Sequence, residues 1–95
     1  MHFTADLVHE LNTLLRFDLA TSQQGIKIHK NADAAVIAAT LRLYDKGLVT
    51  QPDGGYLTGL GRDAAEHAQA LLMILTSEPS MPLGREPNSP AQLYV

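Results

Sequence analysis

The sequence predicts a small α+β domain of three main helices and one β-hairpin over residues 1–76, followed by an extended proline-rich tail over residues 77–95. Three observations carry that prediction. Apolar residues recur at three- and four-residue spacing in three separate stretches, which is the helical period. Between the second and third of these, Leu48-Val49-Thr50 and Tyr56-Leu57-Thr58 flank Pro52-Asp53-Gly54-Gly55, two strand-forming runs around turn chemistry. From Ser77 the composition shifts: four of the five prolines, Pro79, Pro82, Pro87 and Pro90, fall in the last nineteen residues, a composition that opposes helix and central strand.

Thr4 is placed to cap the first helix, with Asp6 in its first turn at the positive end of the dipole. Leu7, Leu11, Leu14 and Leu15 form its apolar stripe, widened by Val8 and closed by Phe17. Phe3, just before the cap, is placed to staple onto Leu7 or Val8. His9, Asn12, Thr13 and Arg16 make up the polar face. Residues 18–31 leave two alternatives open. Thr21-Ser22-Gln23-Gln24-Gly25 has loop polarity, and Ile26-Lys27-Ile28-His29 alternates as one short strand pairing with the hairpin, or forms a single turn of helix.

Asn31 or Asp33 caps the second helix, which runs to about Lys46. Lys46-Gly47 is a stop signal, a cation at the negative end of the dipole followed by a residue free to adopt positive φ. The interior of this helix, Ala34 to Tyr44, is apolar on nearly every face, as expected of a helix buried on more than one side. In the hairpin, alternation predicts Leu48 and Leu57 buried and Tyr56 packed at the base. Thr58 is placed to cap the third helix, from about Gly59 to Leu75 or Thr76. Leu60, Ala64, Ala68, Leu71 and Leu75 make one stripe. Leu71, Leu72, Met73, Ile74 and Leu75 together cannot all face one core, and the surplus predicts a two-fold dimer interface, with the proline-rich tail folding back on Leu93 and Tyr94 as the alternative cover.

The run Arg42-Leu43 to Lys46-Gly47-Leu48-Val49, then Gly55-Tyr56-Leu57-Thr58 and Gly61-Arg62, resembles the recognition-helix end, wing and following helix of winged helix-turn-helix regulators. Residues 1–75 are also similar to a bacterial family of small uncharacterised proteins described as DNA-binding. The matching segments are Phe3-Thr4, Gln24-Gly25-Ile26-Lys27, Lys46-Gly47-Leu48, Asp53 to Thr58 and Ala64-Ala65-Glu66-His67. The resemblance implies a winged-helix-like domain and a DNA-binding, transcription-regulatory role. From Gly25 to Gly47 there is barely room for two full helices and a turn, which departs from a complete helix-turn-helix.

The chain is 45% hydrophobic and 18% charged, a globular composition. It has no cysteine, hence no disulfide, thiolate metal site or cysteine nucleophile. The four histidines, His2, His9, His29 and His67, include no pair four apart on one helix, so no metal and no cofactor are expected. No nucleophile motif or phosphate loop appears, so no enzyme is expected. With no leader pattern and no long apolar run, the expected compartment is the cytoplasm, without membrane contact.

Net charge is −3, which weighs against strong nucleic-acid affinity. Residues 16–62 nevertheless hold six basic side chains against four acidic ones. Lys27, Lys30, Arg42 and Lys46 are the candidate phosphate contacts on double-stranded DNA, weak per monomer. Arg42 and Thr40 are the candidate base readers in the second helix. Against this, the wing tip Gln51-Pro52-Asp53-Gly54 has a carboxylate and no cation. Two functions therefore remain: a dimeric DNA-binding regulator, or a winged-helix module for protein–protein interaction that does not bind DNA.

Overall fold

The structure, a computed structural model, describes residues 1–21 and 23–78. Its elements run α1 (Ala5–Leu14), β1 (Ile26–Lys27), α2 (Ala34–Asp45), β2 (Val49–Gln51), β3 (Gly54–Leu57) and α3 (Gly59–Thr76). The three helices and the hairpin stand where periodicity and turn chemistry place them. Apart from Ser77 and Glu78, the expected tail lies outside the described residues.

Local chemistry fixes the boundaries. The Thr4 hydroxyl accepts from the Leu7 amide at 3.2 Å, and the Thr58 hydroxyl from the Gly61 amide at 3.0 Å; each satisfies one of the amides a helix start leaves free. At the end of α2 the Leu48 amide reaches back to the Leu43 carbonyl (2.9 Å) and the Gly47 amide to that of Tyr44 (3.0 Å). This paired closure needs positive φ at Gly47, which is 77°, and glycine adopts it without a Cβ penalty. Asp33 stands at the N-cap of α2 without a side-chain capping bond.

The alternatives at residues 18–31 resolve toward a strand. Ile26 pairs with Gly55 and Lys27 with Gly54, antiparallel, giving the sheet order β1-β3-β2. The Ile28 amide adds a bond to the Asp53 carbonyl at 2.8 Å. The segment thus joins its backbone to the free edge of the hairpin instead of bonding to itself as a helical turn. The β2–β3 register shifts between Val49 and Gln51, and the Tyr56 amide donates to the Thr50 hydroxyl at 2.9 Å.

Leu14, Phe17, Leu43, Val49 and Ala65 form the buried core, with Leu19, Ile26, Leu48, Leu57 and Ala64 packed around it. Three expectations are corrected here. Tyr56 is 49% exposed, because consecutive strand residues face opposite sides and Leu57 takes the inward one. Leu48 and Leu57 are only half-buried, and Val49 fills the central place. Thr13, assigned to the polar face of α1, is buried; its hydroxyl donates to the His9 carbonyl at 2.8 Å, which lets a threonine enter the core without an unpaired polar group.

Candidate interaction surface

The five residues expected to meet DNA separate into three environments. Thr40 is 1% exposed and its hydroxyl donates to the Val36 carbonyl at 2.8 Å. Almost none of it reaches solvent and its hydroxyl is already bonded within the helix, so the expectation that it reads base edges is corrected. Arg42 and Lys46, four residues apart on one face of α2, both turn to α1. The Arg42 Nε lies 2.7 Å from Glu10 Oε2, its Nη2 donates to the Asp6 carbonyl at 3.2 Å, and Lys46 Nζ bonds the other Glu10 oxygen. Their charge is largely balanced within the chain.

Lys27 and Lys30 are exposed. They line a cleft of about 470 Å³ between the residues after β1, the first half of α2 and the hairpin tip, together with Ile28, Ile37, Pro52 and Asp53. The outward positions of α2 are Ala34, Ala35, Ala38, Leu41, Tyr44 and Asp45. Except for the tyrosine hydroxyl and the Asp45 carboxylate these offer no hydrogen-bonding group, and base readout depends on such groups.

Glu10 was not singled out by sequence reasoning. It is only 6% exposed. Burial of the carboxyl pushes its pKa up, but the hydrogen bonds and charges of Lys46 and Arg42 outweigh burial and hold it below its ordinary value. The signal was available: Glu10 falls three residues after Leu7 and four before Leu14, a carboxylate inside an apolar stripe, which calls for paired cations. Arg62 was also passed over. It clasps the Leu19 carbonyl through both terminal nitrogens at 3.3 and 3.0 Å.

The expected dimer residues lie on the surface. Exposure rises along α3 from 38% at Leu71 and 45% at Leu72 to 61% at Met73, 71% at Ile74 and 73% at Leu75. An apolar groove of about 180 Å³ runs between α1 and α3, lined by Phe3, Val8, Leu11 and Leu15 on one side and by Leu71 and Leu75 on the other. The α1 stripe therefore serves two surfaces. Leu14 enters the core, while Leu7, Val8 and Phe3 stay substantially exposed. Among the described residues no helix is long and apolar enough to cross a membrane, and no three of His, Asp and Glu gather as a metal site.

Residues 1–76 match a family model described as Family of unknown function (DUF5669), and the chain belongs to that family. No curated protein and no solved structure matches the chain.

Proposed function

We propose that this member of the family is a reduced winged-helix module for protein–protein interaction that pairs with a second copy of itself through the α1–α3 groove and the C-terminal half of α3. The observation that carries the reading is the exposure of five successive apolar side chains, Leu71 to Leu75. Residues 68–77 hold no charged side chain. Such a surface buries against its own copy without desolvating ions, and two-fold pairing covers the same patch twice. The winged-helix reading draws support from the three-stranded sheet and from the hairpin set between α2 and α3.

The test is a charge placed at the most exposed part of the face. Ile74→Glu should leave the circular dichroism of the monomer fold unchanged and convert a sedimenting dimer to a monomer. Equal sedimentation of variant and wild type would defeat the reading.

A second reading, contact with double-stranded DNA and transcription regulation, draws on the exposed cluster Lys27, His29 and Lys30 beside the hairpin. With Arg42 and Lys46 paired to Glu10, two lysines per protomer remain from the expected set. The logarithm of affinity should then fall with that of salt at a slope of about −2 per protomer. Titration of mixed duplex DNA at low salt checks it, and no binding at micromolar protein would remove it.

A further inference from the structure

We infer that the cleft between α2 and the hairpin binds a small organic monocarboxylate, one anionic group carried on a compact apolar body. The inference does not rest on self-association, because the α1–α3 groove is built from other elements. At about 470 Å³ the cleft falls within the span of small-molecule sites, roughly 300–1,000 Å³. Its lining joins two chemistries. Ile28 is buried, Ile37 half-buried, and Pro52 adds an apolar surface from the hairpin tip. Lys27 and Lys30 supply exposed ammonium groups, with His29 as a further donor.

Charge selects the ligand. Counting the two lysines against Asp53, which also lines the cleft, leaves one positive charge. A single carboxylate matches that surplus. A polyphosphate or a nucleic-acid backbone would set additional negative charge against the Asp53 carboxylate. The apolar lining excludes a bare inorganic anion as the preferred occupant, since nothing in it would contact Ile28, Ile37 or Pro52 productively. The Thr40 hydroxyl, also in the lining, is already bonded to the Val36 carbonyl, so recognition of the anion falls to the lysines. The backbone bond from Ile28 to Asp53 (2.8 Å) ties the strand wall to the hairpin wall, so the cleft is framed before a ligand arrives.

The experiment is an amide-resolved NMR titration of the full chain with hexanoate, with hexanol and with inorganic phosphate in parallel. Hexanoate should produce saturable shifts centred on Ile28, His29, Lys30, Ile37 and Asp53, with a Kd on the order of 1 mM. Hexanol and phosphate, each lacking one half of the chemistry, should not saturate in that range. Lys30→Gln should weaken hexanoate about two- to fivefold, and Asp53→Asn should strengthen it by a similar factor. Both positions are exposed, and unchanged signals from the core confirm the fold of each variant. Absence of saturable shifts, an equal response to hexanol or to phosphate, or unchanged affinity in Lys30→Gln would overturn the proposal. Displacement of hexanoate by a short DNA duplex would overturn it in favour of nucleic-acid contact.

Discussion

Glu10 joins α1 to α2 by accepting from two cations on successive turns of the second helix. Its carboxyl is buried, and removing it would leave Lys46 without this partner and Arg42 with only the more distant Asp6 carboxylate at 3.8 Å. Glu10→Ala should therefore cost about 1–3 kcal/mol at neutral pH, the range for a hydrogen-bonded charged group lost from a buried position. Urea denaturation measures this, and a loss below about 0.5 kcal/mol would contradict the clamp. The pH dependence has a definite sign. The folded-state pKa of Glu10 is depressed, so its contribution is fully present above the unfolded value, about 4.3, and is lost as pH falls through the folded one. Wild type should lose stability across that acid range, and Glu10→Gln should flatten this part of the profile. An identical acid limb in the two proteins would count against the assignment.

At the scale of the elements, the junction of the hairpin and α3 is the tightest. The Thr58 amide donates to the Leu48 carbonyl at 3.1 Å and its hydroxyl to the Gly47 carbonyl at 2.6 Å. A Cβ on Gly61 would run into the Leu48 carbonyl, whereas one on Gly59 would meet open space. Gly61→Ala should accordingly destabilise by about 1–3 kcal/mol or more, while Gly59→Ala should stay within about 0.5 kcal/mol of wild type. Thermal or urea unfolding of the pair checks the contrast, and similar effects at both positions would refute the packing. The three helices and the hairpin were legible because each carries a local signature: the apolar periods of the helices, the threonine caps at Thr4 and Thr58, the Lys46-Gly47 stop, and the proline and glycines of the turn. The strand β1 was not, because two paired residues leave a pattern that a helical turn shares. Nor was the placement of individual polar side chains. Thr13 and Thr40 bond back to their own helices, so their burial leaves no mark in the spacing. The pairing of Glu10 with Arg42 and Lys46 spans 32 and 36 residues. It depends on how α1 lies against α2, which no local pattern specifies. The candidate DNA set was assembled from residue type and sequence proximity, and the fold separates it into a buried threonine, two partly exposed cations paired to Glu10 and two exposed lysines.

For the whole molecule, the distribution of surfaces is what supports the proposed pairing. The cations of α2 that would have met phosphate are turned to α1. The longest uninterrupted apolar surface of α3 faces outward, continuous with the groove formed against α1. Among the described residues nothing covers the five side chains from Leu71 to Leu75, and transferring them from water stabilises whatever does. A second copy offers a surface of the same shape and the same lack of charge. The most direct measurement is the mass of the full chain by light scattering from low to high micromolar concentration, where mass action favours pairing. The account predicts a mass that rises to twice the 10.3 kDa of one chain and returns toward the single value on dilution. A mass of one chain throughout, up to several hundred micromolar, would contradict it.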